Sequence, residues 1–551
     1  MTASVERPAE GAGRSAARTI ACLAGASFVL VGLWAARDYG LAFDSQFLFP
    51  YGDAILRYLS GTGPWPLTLE GQTFELYGPL ALLGAALTSA LLHDTLGLAN
   101  ALLGHHVFIV LSAGALVAVT ARLAWHLAGP RAAVLAALFL ATSPRFFAEA
   151  QNNVVDVPAA LAWTVALAGI ARAVGEQTVR PLCGAAVAFG ALGAIRLPNL
   201  PFLPCVPALW LAVDGAARRR FVGLCRASGW GALAAVVLLA LGSLWLFRPL
   251  AWTSPRLEFW ALFDALVVPP PRMTRGVVDV FYEGKVRSGG PRSYHLVMLA
   301  ITTPLPFVAA AVAGLVVGWR RLRSATSLLV VWLAVAIGRH AVSNLGNYDG
   351  IRHVLDALPA LAVLAAVGGA AGLDALVRLV PRRPVVARVL GVLVLVAPGA
   401  LAIWRLHPYA VTYYNALVGG LGGAARRFEA EYSGAAYREG LDWVSTHLTE
   451  RDRIWVTRDY DRPLVHLEGH YLGRDAHLRD GGGDDLVESG RLFTMQILRP
   501  GPFERSPAGL DVTSFPVVYE VRRDGVPLLR VREVPRELRA TPPRAAARPG
   551  S

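Results

Sequence analysis

The sequence predicts a polytopic α-helical membrane protein, and three observations carry that reading. Hydrophobic residues make up 54% of the chain, with a mean hydropathy of +0.46. Charged residues account for only 17%, against about 25% in ordinary soluble domains. Apolar runs of roughly 20 residues recur along the first part of the chain, each able to cross a hydrocarbon core about 30 Å thick.

Taken in order, the apolar runs predict about 11 transmembrane helices, near 19–36, 102–121, 131–148, 156–173, 182–197, 199–214, 228–248, 293–318, 325–341, 351–377 and 386–404. The stretch 77–98, opening with Tyr77-Gly78-Pro79, is expected to lie along the interface. Counting it as a span would reverse everything after it. Charge decides the matter. Arg122 and Arg131, Arg172 and Arg180, then Arg218, Arg219, Arg220 and Arg226 fall in every second connection. So do Arg320, Arg321 and Arg323, and Arg378, Arg382, Arg383 and Arg388. Arginine in short loops marks the cytoplasmic side, which gives an N-in/C-out topology.

Residues 1–18 are then expected to be a disordered cytoplasmic N-terminus and 19–405 the transmembrane body, with an external loop over 37–100. Past 406 the composition changes. Tyr437–Val444 reads as an amphipathic helix. Arg453–Thr457, Phe493–Leu498, Val517–Val521 and Leu528–Val531 read as strands, the last two flanking the hairpin signal Asp524-Gly525. A small α/β extracytoplasmic C-terminal domain is expected over 406–535, then a disordered tail over 536–551. No internal repeat is visible.

The net charge of +13 would suggest nucleic acid in a soluble protein, but here it is the arginine of the inner loops, so no nucleic-acid partner is expected. Cys22, Cys183, Cys205 and Cys225 lie in or beside spans without metal-ligand spacing, which argues against a disulfide framework or a zinc ribbon. The first span follows Arg7, Arg14 and Arg18 without a small-residue cleavage site and reads as an uncleaved anchor.

Ionisable residues collect at the outer ends of the spans: Asp44, Asp53, Glu149, Asp156, Arg196, Arg248, Arg339, His340, Asp349, Arg352 and His353. A charge deep in a bilayer costs at least about 2.5–3.5 kcal/mol, so pairing or function must offset it. For any one residue an ion pair or interfacial snorkelling is as good a reading as a site. As a group they suggest a solvated cavity. Asp44 lies between Phe43 and Phe47, which would reduce its solvation and raise its basicity. Asp53 follows Gly52 and is expected to cap a helix from Ala54 to Leu59. Asp156, two residues before Pro158, is equally a helix cap and a site residue.

The stretch Tyr282-Glu283-Gly284-Lys285-Val286-Arg287-Ser288 reads as a flexible external loop. Lys285, the one lysine in the chain, and Arg287 are candidates for phosphate there or for an ordinary solvated turn. In Tyr348-Asp349-Gly350-Ile351-Arg352-His353, turn chemistry places Arg352 and His353 at the mouth of a span, where arginine suits a bidentate phosphate contact. His340 and His353 are placed too loosely to assign a metal, and no metal ligand is named. A divalent cation is left open as a cofactor. Trp65, Trp252 and Trp260 suggest interfacial segments.

The chain resembles a family through the order of these motifs. A carboxylate, Asp44, follows the first span. Pro144-Arg145-Phe146 and Asn153-Val154-Val155-Asp156-Val157-Pro158 come next, then Phe281-Tyr282-Glu283-Gly284-Lys285, Tyr294 and Ile301-Thr302-Thr303-Pro304-Leu305. Tyr348-Asp349-Gly350-Ile351-Arg352-His353, Pro408-Tyr409 and Tyr414-Asn415 complete the series. Across about 15–440 the chain is similar to the membrane glycosyltransferases of family 39 type, the GT-C fold group that includes protein O-mannosyltransferases and aminoarabinose transferases.

The resemblance implies a GT-C-like fold and an inverting transfer of sugar from a polyprenyl-phosphate donor to a lipid, glycan or protein acceptor. The reaction would take place on the outer face of the inner (plasma) membrane, among membrane lipids. Asp44 and Asp156 match the family's acidic, catalytic positions. The second acid of the early pair is Ser45 here, which argues against a metal bridged by two neighbouring carboxylates. Cations would hold the departing phosphate. The candidate substrate-binding residues are Arg196, Tyr282, Lys285, Arg287, Tyr348, Asp349, Arg352 and His353. The rival readings are a transporter or flippase of a lipid-linked sugar, and a non-catalytic assembly protein of the same fold. A transporter would favour charges or broken helices at mid-membrane and an internal repeat.

Overall fold

The computed structural model describes residues 10–64, 77–256, 258–260, 279–343, 347–457, 461–478, 490–499 and 512–539. Among them, seven helices are long and apolar enough to cross a membrane: Ser15–Asp38, Ala101–Ala128, Asp156–Glu176, Gly215–Leu246, Arg323–Ala341, Arg352–Leu379 and Pro384–Leu406. Two further pairs qualify only when each is taken as one bent span. Pro130–Ala141 meets Pro144–Asn152 at 68°, and Tyr294–Thr302 meets Leu305–Arg321 at 116°. Both bends fall at a proline, which cannot continue the ladder and pushes the residue before it out of the helical region.

Arg180–Gly193 and Leu197–Val213 are shorter apolar helices. Helices thus occupy all eleven predicted stretches, but seven to nine meet the length test, and the shortfall is the work of prolines at 144, 198, 201, 204 and 304. The outermost helices turn large apolar side chains away from the protein, among them Leu238, Trp245, Val394 and Trp404. In a multi-pass membrane protein that face meets lipid tails.

Two boundaries differ from expectation. The first helix starts at Glu10, because the Ala-rich run 16–24 extends good helix formers outward. Residues 10–18 are therefore helical rather than disordered. At the other end Arg536–Arg539 form a short helix where the tail was expected to begin. Residues 1–9, 540–551 and Trp65 lie outside the described residues.

The last part of the chain folds as a four-stranded sheet in the order β3-β4-β6-β5, with β3 (Arg453–Val456) parallel to β4 (Leu492–Ile497). β6 (Val526–Glu533) pairs antiparallel with both β4 and β5 (Val517–Arg523). Asp524 and Gly525 turn the hairpin with φ of 44° and 79°, the two positive values that let a two-residue turn follow the strand twist. The helices Ala436–His447 and Arg462–Leu472 accompany the sheet, and its apolar side joins the same buried cluster as the membrane helices. Polar contacts add to that joint: Tyr409 donates to Glu439 at 2.8 Å, and Arg438 donates to the Tyr39 carbonyl at 3.3 Å. The candidate site lies beneath this joint, where several helix ends meet.

Candidate active site

The cleft is built from chain ends that prolines and glycines force into place. The helix Ser45–Leu59 begins directly after Asp44. Helix Pro144–Asn152 turns away from its predecessor at Pro144 and ends in Asn153, whose side-chain oxygen accepts from the backbone N–H of Val155 (3.3 Å) and Asp156 (2.8 Å). Asn153, rather than Asp156, therefore satisfies the start of the next helix, which leaves the Asp156 carboxylate for other partners. Tyr77 bridges to Arg196 as an isolated strand pair. Gly78 makes that possible, since a Cβ there would sit 2.1 Å from the Ala194 carbonyl oxygen.

Asp44, Tyr77, Glu149, Asp156, Arg196, Asp349, Arg352 and Tyr432 line one cleft, whose empty space including its mouth is about 640 Å³. Two acid–arginine pairs line it. Asp44 contacts Arg352, and Asp156 contacts Arg196. Each arginine has a second partner. Arg352 reaches Asp349 at 2.9 Å, and Arg196 reaches His353 Nδ1 at 2.7 Å. The Arg352 guanidinium also lies 5.7 Å from the Tyr348 ring centre, and the Tyr348 ring meets His353 edge-on at 4.7 Å.

Between the pairs lies Glu149, 6% exposed. Asn153 donates to Glu149 at 2.7 Å and to Asp156 at 3.0 Å, so one amide group ties two carboxylates together. Tyr432 donates to Glu149 at 3.2 Å. Burial, with Glu149 adding, holds the Tyr432 phenol well above its ordinary value, so it stays a donor. Burial, with Asp44 adding, does the same for Tyr77. Arg145, fully buried, donates to the Tyr413 carbonyl at 3.2 Å and lies over the Tyr414 ring at 4.7 Å.

Of the residues the sequence nominated, Asp44, Asp156, Arg196, Asp349 and Arg352 line the cleft, and Tyr348 and His353 support it from behind. Tyr282, Lys285 and Arg287 do not line it. The stretch expected to be a flexible loop is a hairpin, β1 (Asp279–Tyr282) with β2 (Lys285–Ser288), turned by Glu283 and Gly284 at φ of 52° and 76°. Tyr282 is buried against Tyr294 and Phe428, while Lys285 and Arg287 point to solvent.

Other charges at the ends of the helices prove to be paired locally. Asp53, expected to cap a helix, lies inside one and contacts His105 at 3.2 Å. Arg248 pairs with Glu258, and Arg339 holds Asp356 at 2.6 Å. His295, His340 and His353 cluster with ring centres 4.7–6.2 Å apart, yet among the described residues no group of acids, histidines or cysteines is arranged to hold a metal ion.

The sequence gives no role to Arg145 or Arg499, and it offers Tyr432 equally as part of an acceptor cleft and as linker packing. For Arg145 the signal was its place in Pro144-Arg145-Phe146. Glu149 was grouped with the outer acids without a role, although its spacing of four from Asn153 was visible.

No protein family's profile and no curated protein matches the chain. Among solved structures it is similar to ArnT from Cupriavidus metallidurans bound to undecaprenyl phosphate, at 16% identity and a TM-score of 0.49, covering 92% of this chain and 97% of that one. The apo state of the same protein gives 14%, 0.48 and the same coverage. The archaeal oligosaccharyltransferase AglB from Archaeoglobus fulgidus, in complex with an inhibitory peptide and a dolichol-phosphate, gives 12% identity and 0.47, covering 81% of this chain and 59% of that one.

Proposed function

We propose that this protein is a membrane glycosyltransferase that moves a sugar from a polyprenyl-phosphate donor to an acceptor hydroxyl at the outer face of the membrane. The observation that carries the reading is the pairing of two acids with two arginines from four distant segments in one cleft. A lipid phosphate entering that cleft competes with Asp44 for Arg352. Phosphate is a better bidentate partner for guanidinium than a single carboxylate oxygen. Donor binding therefore frees Asp44 at the moment a base is needed.

Asp44 takes the proton of the acceptor hydroxyl as its oxygen attacks the anomeric carbon. The bond from that carbon to the phosphate oxygen breaks, and its electron pair leaves with the polyprenyl phosphate. Attack from the face opposite the leaving group inverts the anomeric configuration. Arg352 and Arg196 hold the charge that develops on the departing phosphate. Asp156 keeps Arg196 aimed into the cleft, and Asn153 keeps Asp156 and Glu149 in register.

The test is a glycolipid and cell-envelope profile of a deletion strain. One glycan is expected to lose a sugar while the polyprenyl-phosphate form of that sugar builds up. An unchanged profile without donor build-up overturns the reading.

A further inference from the structure

The sheet at the end of the chain sends one charged side chain down to the cleft. Arg499 follows β4, its segment held by Leu498 N–H donating to the Leu528 carbonyl at 2.8 Å. The side chain is 7% exposed. Its Nη2 lies 3.1 Å from Asp349 Oδ1, and its Nε lies 2.8 Å from Glu429 Oε1. The other oxygen of Asp349, Oδ2, takes Arg352 at 2.9 Å. Arg352 in turn contacts Asp44. Glu429, Arg499, Asp349, Arg352 and Asp44 thus form an unbroken line of alternating charges from the outer unit to the proposed base.

Each oxygen of Asp349 serves a different arginine, and that division has a consequence. With Arg499 present, half of the Asp349 charge is answered from outside the cleft. Without it, Arg352 would be the cation left among the described residues to answer both Asp349 and Asp44, and buried Glu429 would lose its ion-pair partner and keep the Phe281 backbone contact. An arginine that must balance two whole carboxylates, rather than one and a share of another, is held more tightly and has less to offer an incoming phosphate.

From this geometry we infer that Arg499 is a positioning residue of the site. By taking its share of Asp349, it leaves the Arg352 guanidinium available to the phosphate of the lipid carrier, so the outer unit completes the cleft. The inference rests on the reading of the cleft as a lipid-phosphate site. Although burial opposes its charge, Glu429 and Asp349 hold Arg499 firmly protonated, as the role requires.

The test measures binding of undecaprenyl phosphate, without sugar, to the full-length protein in nanodiscs, with thermal unfolding recorded for each variant. The variants are Arg499→Gln, Arg499→Lys, Asp349→Asn and the double variant Asp349→Asn with Arg499→Gln. Arg499→Gln is expected to weaken binding about tenfold or more, and Arg499→Lys to recover part of it. The double variant should bind better than Arg499→Gln alone, because the carboxylate that overloads Arg352 is gone. Wild-type binding in Arg499→Gln overturns the inference and leaves the proposed function standing. So do losses in the two single variants that simply add in the double variant. Wild-type protein that fails to bind undecaprenyl phosphate overturns the function and the inference together.

Discussion

Asp44 and Arg352 touch across 308 positions of sequence, and that contact joins the end of the first membrane helix to the start of a late one. The Asp44 side chain is 34% exposed and Arg352 only 14%. The acid is therefore the member that solvent and substrate can reach, while the arginine is held from several sides.

Asp44→Asn should lower transfer by at least about 100-fold, the range that general bases contribute. The protein should remain folded, because a partly exposed carboxylate adds little stability. Turnover measured on purified, correctly folded variant checks this, and wild-type turnover removes Asp44 from the mechanism.

Arg352→Ala should weaken binding of polyprenyl phosphate itself by about 10- to 100-fold, whatever sugar it carries. Arg352→Lys should not restore it fully, since an ammonium cannot make the forked contact. Affinity equal to wild type in the alanine variant would reassign Arg352 to a structural role.

Gly350→Ala should destabilise the protein by about 1–3 kcal/mol and impair the site. Gly350 has φ of +67°, and a Cβ there would stand 2.2 Å from Arg145 Nη1 and 2.8 Å from the Tyr432 hydroxyl. Thermal unfolding reports the first effect and donor binding the second. An unchanged melting point would contradict this prediction.

Glu468 gives a pH prediction. Burial raises its carboxyl from an ordinary 4.5 to about 8, against the opposing influences of Arg438 and the Leu41 N–H. Folding thus favours the protonated form, so the contribution of Glu468 to stability falls as pH rises from about 4.5 to about 8. Glu468→Gln should match wild type near pH 5 and unfold at a higher temperature above pH 8. Parallel unfolding curves across that window would contradict it.

The membrane orientation is tested at Ser288, exposed on β2. In a background with the four native cysteines replaced, Ser288→Cys should react with an impermeant thiol reagent added to intact cells. Reaction only after permeabilisation would reverse the topology.

The parts of the site that could be read in the sequence are those set by the bilayer. Charges avoid hydrocarbon, so Asp44, Asp156, Arg196 and Arg352 had to lie at span ends, and the arginine bias of the loops put those ends on one side. Depth alone does not fix lateral position, which is why the sequence groups Lys285 and Arg287 with residues whose cleft they do not line. Their hairpin is drawn aside by Gly284, whose N–H donates to the Arg427 carbonyl at 3.0 Å, and by Tyr282, whose ring packs against Phe428. The strands of the C-terminal unit announced themselves through alternation and the Asp524-Gly525 turn. Arg499 did not, because an ion pair spanning 150 positions leaves no periodic mark in a single chain.

Ser45 follows Asp44 directly, at the position where the family resemblance implies a second acid. It is buried at 1% exposure, and its hydroxyl donates to the Asn152 carbonyl at 3.4 Å. The same asparagine donates its side-chain amide to the Gly40 carbonyl at 3.0 Å. A carboxylate grafted at this position would present oxygen to oxygen and prise apart the turn that orients Asn153. Ser45→Asp should therefore unsettle the floor of the cleft, so position 45 favours a hydroxyl over a further carboxylate.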